Sequence, residues 1–537
     1  MSTLRNSAHY VRGFNMFRRA NKICLYIGSF IYILLISLLV PVIALSVTGP
    51  QNNLFPWQMA VGTAVGTILL LCAFSLWDRL PCVRLKNSSW LYGALLILFG
   101  VLLYVLSFNG HNYVSSYQDY AEIWEAATDL SEGRALSPHS QFYFQTYANN
   151  IKPMLYLTAL FRISKALRFQ DPYFFILIPS VLQVLGAVWS VGILAGSFQQ
   201  DQNRYRIPIL FMFVCTLPIW ANVQAFYTDS MSFMMGVFPL ALICLSFKTT
   251  SRWKTAALLA LAGVSAGIGL TVKITVLIPF IAAFIVFCLW GSPRKRWIHI
   301  GVFILCTVLT WKMTDLWAGH YEIWDMSKET SDPVINWIAL GMKESGNYLD
   351  NADYATYTHT LPTKAEKTAY ALQYISDNRG EFWNVSHLVK KIRCNFASGQ
   401  FGSATYSFFS YDEHNLIWEL FSPWGKHYWR TSQLSFCFIF SIYTIYLLGA
   451  LKTLGCLFRK RAIFGVKVIA DLSLLGIILF LMIWEANNRQ LYNQIPSILL
   501  GAALNAQLLC SQKPGREEPI PQRTIHASKP DKEETRS

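Results

Sequence analysis

Apolar runs close to 20 residues long recur along almost the whole chain, and each can cross the roughly 30 Å of hydrocarbon in a bilayer. A backbone in lipid has no water to bond to, so such runs must be helical. About twelve spans are expected, over 24–47, 57–77, 89–107, 172–197, 207–225, 228–247, 255–271, 274–290, 298–318, 433–455, 464–484 and 490–510. The composition agrees, with 53% of the 537 residues hydrophobic and 14% charged, against about 25% charged in soluble domains. The first run follows a basic stretch and is far longer than a signal-peptide core, so it reads as a retained anchor.

Basic residues give the orientation, because positively charged short loops stay in the cytoplasm. Arg5, Arg12, Arg18, Arg19 and Lys22 precede the first run, and Arg79, Arg84 and Lys86 follow the second. Alternate loops then carry Arg204 and Arg206, Lys248 with Arg252 and Lys254, Arg294 to Arg296, and Arg459 to Arg461 with Lys467. The opposite loops 48–56 and 225–228 hold no Lys or Arg. With twelve spans the parity closes and both termini are cytoplasmic.

Residues 151–168 bear on that parity. As a span they would invert every later loop, and they carry Lys152, Arg162, Lys165 and Arg168. They read as an amphipathic helix at the outer interface, the alternative being a true span with one fewer further on. The fold class expected is an all-α polytopic membrane protein with external interfacial helices and a large external loop. Its divisions are a cytoplasmic N-terminus (1–23), a transmembrane bundle (24–318) including an external loop over 108–171, an external mixed loop domain (319–432), C-terminal transmembrane helices (433–510) and a cytoplasmic tail (511–537).

The net charge of +15 is no nucleic-acid signal. It reflects the positive-inside bias and the polar tail, which lacks apolar periodicity and is expected to be disordered. Of eleven cysteines, one, Cys394, falls in an external loop, so no intrachain disulfide framework is expected there. Cys-x-x-Cys, His-Glu-x-x-His, P-loop and dinucleotide fingerprints are missing from the sequence. Neither a metal site nor a cofactor nor an ATP-driven step is suggested.

The first external loop, about 108–150, sets five carboxylates (Asp119, Glu122, Glu125, Asp129, Glu132) against Arg134, a net −4. Tyr120, Ile123, Ala127 and Leu130 recur at helical spacing, so 117–132 reads as an amphipathic helix resting on the bundle. Asp119 falls in its first turn, where the helix dipole favours a carboxylate. It is a candidate general base, and equally a simple helix cap.

In the second external segment, 319–432, helices are expected over Lys364 to Asn378 and Phe382 to Lys391. Phe401, Tyr406, Phe408, Phe409, Tyr411, Trp418, Trp424, Tyr428 and Trp429 follow. Such aromatics stack on sugar faces or rest in the headgroup layer. At the outer ends of spans stand Tyr227-Thr228-Asp229, Lys273, Arg489 and, opening the interfacial helix, Lys152. An acidic group at a bundle rim is costly unless it meets water or a partner. Basic residues on this face either snorkel or bind an anion, and three of them sharing a face with two aspartates could hold a lipid phosphate and leave a carboxylate free as base.

The order of these motifs resembles the GT-C superfamily of membrane glycosyltransferases, which use polyprenyl-phosphate-linked sugars. It is similar to the protein O-mannosyltransferases and to the aminoarabinose transferases that act on lipid A. Gln118-Asp119-Tyr120 through Ala127, Leu130 and Gly133 resembles the first-loop motif with its catalytic aspartate. Asn149-Asn150-Ile151-Lys152-Pro153 resembles the Lys-Pro segment, and Tyr227-Thr228-Asp229 the second acidic turn. Tyr143 to Asn150 and Asn336 to Met342 resemble stretches of large cell-envelope members from Gram-positive bacteria. The first loop reads Gln-Asp where many relatives have Asp-Glu, which keeps Glu122 as the alternative to Asp119.

The resemblance implies transfer of a sugar, with inversion, from a polyprenyl-phosphate donor to an extracytoplasmic envelope acceptor: polysaccharide, teichoic acid, glycolipid or protein. It implies a multi-pass protein of a bacterial plasma membrane, with no catalytic metal. Asp119 would be the base and Asp229 an orienting carboxylate. Lys152, Lys273 and Arg489 would hold the phosphate, with Glu122 and Tyr227 in the substrate site. The rival readings are a transporter or flippase for lipid-linked glycans, which twelve spans also suit, and a scaffold in an envelope-synthesis complex. No half-to-half repeat supports the transporter.

Overall fold

The computed structural model describes residues 22–48, 55–79, 88–108, 118–197, 205–289, 294–403, 416–459 and 465–510. The basic residues Arg5 to Arg19, Arg84, Lys86, Arg204, Lys460 and Arg461, the aromatics Tyr406, Phe408, Phe409 and Tyr411, and the tail 511–537 lie outside the described residues. Among those described, the regular structure is all helical, without a strand.

Among the described residues, eight helices are long and apolar enough to cross a membrane. They are α1 (Lys22–Val47), α2 (Pro56–Arg79), α3 (Ser88–Leu106), α7 (Pro172–Gly196), α12 (Arg252–Val272), α14 (Arg294–Ala318), α21 (Tyr428–Phe458) and α22 (Gly465–Ile483). The other four expected spans are short or interrupted. Residues 207–225 form α8 (Arg206–Cys215) and α9 (Leu217–Asn222), broken at Thr216, whose φ −81° and ψ 83° are non-helical, because Pro218 has no amide to give the carbonyl four residues back and its ring would clash there. Residues 228–247 form the single turn α10 (Thr228–Met231) and then α11 (Phe238–Ser246), with Pro239 in its first turn. Residues 274–290 open with a 3-10 turn before α13 (Leu277–Leu289). Residues 490–510 open in the 3-10 stretch Asn488–Gln494 before α23 (Ile495–Cys510). At 1.5 Å per residue α23 reaches only about 24 Å. Irregular backbone of this kind is tolerated within a bilayer only where protein covers it or a polar cavity meets it.

Between α3 and α7 lie α4 (Gln118–Ser131), α5 (Pro138–Thr146) and α6 (Ile151–Ala166). The helix expected over 117–132 is α4, and it buries Tyr120, Ile123 and Ala127 against α6. Residues 151–168, expected to be a helix rather than a span, form the 16-residue α6. In the long segment beyond α14 are α15 (Glu322–Thr330), α16 (Val334–Leu340), α17 (Ala352–Thr360), α18 (Lys364–Asp377), α19 (Val385–Phe396) and α20 (Leu416–Phe421). The stretch expected as a helix from Phe382 begins instead as the 3-10 turn Arg379–Trp383, and Asn384 caps α19 through a bond from the Ser386 amide.

Two features show how the bundle closes. A Cβ on Gly263 would stand 2.4 Å from Cys306 Cβ, and one on Gly267 would stand 2.9 Å from the Thr307 carbonyl. This small-xxx-small stripe lets the backbones of α12 and α14 touch, which is how helices associate where lipid offers no hydrophobic drive. Deep between α1, α22 and α23, Lys467 Nζ lies 2.5 Å from Asp471 Oδ2, which also accepts from the Tyr32 hydroxyl at 2.7 Å. Asn505 Nδ2 donates to Asp471 Oδ1 at 2.9 Å. Lys467, grouped with a basic loop by the sequence pattern, is thus a buried residue of α22, its charge matched one turn on.

Candidate active site

Three of the four interruptions in the bundle come to one place. Tyr227 leads into α10, Lys273 ends α12, and Arg489 lies in the 3-10 stretch before α23. Asn493 Nδ2 donates to Thr275 Oγ1 at 2.8 Å and to Ser232 Oγ at 3.3 Å, and Gln494 Nε2 donates to the Thr275 carbonyl at 3.0 Å. Side-chain amides therefore join the three breaks, meeting the rule that buried polar groups be paired. The helix α4 covers them, tied down where the Phe226 amide donates to the Tyr120 hydroxyl at 3.2 Å.

Four charges meet there. Lys273 pairs with Asp229 Oδ1, and Arg489 Nε lies 3.3 Å from Asp229 Oδ2. Arg489 Nη1 is 3.8 Å from Asp119 Oδ2, and its guanidinium sits 5.0 Å over the Tyr227 ring, a stacking suited to arginine. Asp119 accepts from the Tyr143 hydroxyl at 2.9 Å on Oδ1 and from the Tyr227 hydroxyl at 3.1 Å on Oδ2. Asn150 Nδ2 in turn donates to the Tyr143 oxygen at 2.6 Å. Burial, reinforced by the Asp119 charge, pushes the Tyr143 phenol well above its ordinary range, so it stays a donor.

The two aspartates differ in access. The Asp119 side chain is 33% exposed and that of Asp229 is 6% exposed. Asp229 is a buried counter-charge to two cations, whereas Asp119 can be reached by a substrate hydroxyl. Burial lowers the Lys273 ammonium to about 8 against the pull of Asp229. Glu485, four residues before Arg489, is raised to about 7 by burial, with Arg489 opposing the shift. Arg489 is pressed into place from behind: Gly402, at φ +76°, would bring a Cβ to 2.9 Å from Arg489 Cβ. A side chain there would both strain the backbone and displace the arginine.

Of the seven residues singled out from sequence, five converge: Asp119, Asp229, Tyr227, Lys273 and Arg489. Two face elsewhere. Lys152 pairs with Asp315 Oδ1 at 2.5 Å and lies 5.1 Å over the Trp324 ring. Glu122 meets His139 Nε2 at 2.8 Å. Glu485 was missed, although a carboxylate one helical turn before an arginine at a bundle end was visible in Trp484-Glu485-Ala486-Asn487-Asn488-Arg489. Tyr143 and Asn150 stood in a quoted pattern with no role. Among the described residues no group of three His, Cys, Asp or Glu could hold a metal ion.

A recessed carboxylate accepting two phenol donors, beside a buried lysine and arginine, can take a proton from a neighbouring hydroxyl while the cations hold an anion. No curated protein matches the chain. Among solved structures, the archaeal oligosaccharyltransferase AglB from Archaeoglobus fulgidus, in complex with an inhibitory peptide and a dolichol-phosphate, is similar at 12% identity and a TM-score of 0.38. The likeness covers 79% of this chain and 51% of that one, so the chain spans about half the length of AglB. The family described as conserved hypothetical integral membrane protein matches residues 16–509, and the chain belongs to that family of integral membrane proteins.

Proposed function

We propose that the protein is a membrane glycosyltransferase that moves a sugar from a polyprenyl-phosphate donor to an extracytoplasmic envelope acceptor, with inversion. The observation that carries this reading is the split of roles in one cluster. One carboxylate, Asp119, is accessible, while the other, Asp229, holds two cations in place.

In the reaction, the acceptor hydroxyl gives its proton to Asp119 as its oxygen bonds to the anomeric carbon. The bond from that carbon to the phosphate oxygen breaks, and the electron pair leaves with polyprenyl phosphate. The leaving group needs no proton if its charge is held, a role that falls to Arg489 and Lys273. Tyr143 and Tyr227 fix both oxygens of the base, and such positioning is a large part of what a transferase site supplies. Asp119 then returns its proton to water.

The test is direct. Membranes carrying the full chain, given a polyprenyl-phosphate donor with labelled sugar and extracted envelope glycan, should yield labelled glycan and free polyprenyl phosphate. A protein that moves labelled lipid between leaflets without consuming it would be a flippase, and this reading would fall.

A further inference from the structure

The turn that carries Glu485 is clamped by the loop between α16 and α17. The Ala486 amide donates to the Gly346 carbonyl at 2.7 Å, and the Ala486 carbonyl accepts from Asn347 Nδ2 at 3.1 Å. Just before it, the Trp484 carbonyl lies where a Cβ on Gly341 would come within 2.7 Å, so the absence of a side chain lets the two backbones meet. The backbone is thus fixed on both sides of residue 485. Glu485 itself is 6% exposed, and among the described residues nothing donates a hydrogen bond to its carboxylate.

Charged groups act on Glu485 from four elements: Arg489 from the 3-10 stretch Asn488–Gln494, Lys273 from the end of α12, Asp119 from α4 and Lys391 from α19. Lys391 is fully buried, its Nζ donates to the Gly341 carbonyl at 2.6 Å, and burial lowers it to about 8. The Cys394 thiol, also on α19, is pushed up by burial and stays neutral. With Asp229, which pairs with Lys273 and Arg489, the set holds three cations and three carboxylates, so its net charge is zero when all are ionised. A further anion brought into such a buried set leaves one charge unmatched, which is expensive. A proton on one carboxylate restores the match. Asp229 is held by two cations and Asp119 by two phenols. Glu485 has no such donor, and burial raises it to about 7.

We propose that binding of the donor phosphate draws one proton from solvent onto Glu485, which makes Glu485 a positioning residue for the donor. In its neutral form it leaves Arg489 to the phosphate and sets the cluster at +1, against the single negative charge of a phosphodiester. The match then holds through the reaction. As Asp119 takes the acceptor's proton, the departing phosphate gains its second negative charge, and cluster and ligand change together. The inference rests on the transferase reading for the identity of the anion, and on the cluster alone for the proton.

The test uses the full chain in nanodiscs. The probe is methyl citronellyl phosphate, a lipid phosphodiester that has no sugar to transfer and keeps one charge across neutral pH. Calorimetric titration in two buffers of different ionisation enthalpy counts the protons taken up on binding. At pH 7 the wild type should take up about half a proton, because Glu485 is then near its midpoint while Lys273 and Lys391 are still mostly charged. Glu485→Gln should take up almost none there. At pH 8 it should bind the probe about tenfold more tightly than the wild type, the cost of protonating a group one pH unit above its midpoint. Equal uptake in the two proteins overturns the inference. Should Glu485→Gln fail to fold, uptake near zero in the wild type at pH 7 overturns it alone. Binding indifferent to Arg489→Ala would sink the reading of these cations as a donor site, and the inference with it. Uptake that depends on Glu485, in a protein whose wild type transfers no sugar, would keep the proton-coupled anion site and sink the transferase reading instead.

Discussion

The hydroxyl of Tyr227 donates to Asp119 Oδ2 at 3.1 Å, across 108 residues of sequence. A broken helix thereby fixes a carboxylate that stands on α4. Asn can accept one of the two phenol donors but cannot take a proton near neutral pH. Asp119→Asn is expected to keep its thermal midpoint and to lose at least about 100-fold in transfer rate, the lower end of general-base contributions. Glu122→Gln, which breaks a contact to His139, should lose far less. Rates from a labelled-donor assay would decide, and an active Asp119→Asn would return this residue to the status of a helix-terminus carboxylate.

The cations should separate in the same assay. Arg489→Ala is expected to raise the donor KM by roughly ten- to a hundredfold, the cost of a charged hydrogen bond. Lys273→Ala leaves Asp229 buried with a weaker partner, so Lys273→Met with Asp229→Asn is the cleaner variant. It should fold and still bind the donor poorly. Lys152→Ala should have a smaller effect on donor KM, because Asp315 holds this lysine. Equal effects of Lys152→Ala and Arg489→Ala would mean that the phosphate lies nearer α14.

Donor binding should weaken as the medium becomes alkaline. Glu485 is raised from 4.5 to about 7 by burial, so its neutral form is favoured in the folded protein. Its contribution to stability is full below 4.5 and is lost as pH rises through about 7. Above that point its charge competes with phosphate for Arg489. Lys273, lowered to about 8, loses its positive charge soon after. Donor KM measured from pH 6 to 9 should therefore rise in two steps, and Glu485→Gln should abolish the lower one. A profile unchanged by Glu485→Gln would place this carboxylate outside the donor site.

Inside the bundle, Asp471→Ala leaves Lys467 buried without its charge partner, and such losses cost about 3–5 kcal/mol. Lys467→Met with Asp471→Leu removes both charges and should recover most of that loss. The check is detergent-solubilised thermal unfolding of the wild type and the two variants. If the double variant is as unstable as the single one, the pair contributes packing rather than charge balance.

Leu349 is 78% exposed in the segment after α14. Leu349→Cys should react with an impermeant maleimide added outside intact cells, above the background of native thiols. Labelling only after permeabilisation would put the cluster on the cytoplasmic face, where a nucleotide-sugar donor becomes the better candidate.

Much of this was legible in the sequence because its signals were periodic. The long apolar runs gave eight continuous helices, and the 3.6-residue spacing around Tyr120 and Ile123 gave α4 within a residue at either end. What escaped was irregular. The apolar runs over 207–225 and 228–247 hide Pro218 and Pro239, whose effect on the chain is local and leaves hydropathy unchanged. Lys152 carried the same sign and face as Lys273 and Arg489, but its partner, Asp315, lies at the far end of a different helix, where no spacing rule reaches. Glu485 escaped because its burial beside Arg489 leaves no mark in hydropathy or spacing.

The interrupted helices also set an order of events. The segments that carry Asp229 and Arg489 are too short or too broken to enter a bilayer unaided, and they depend on neighbours already inserted. Arg489 is made 216 residues after Lys273 (489 − 273), so the growing chain carries an incomplete cluster throughout that stretch of its synthesis. Competence would come as one event: the stretch carrying Arg489 drops into place, and a nascent protein is silent until then.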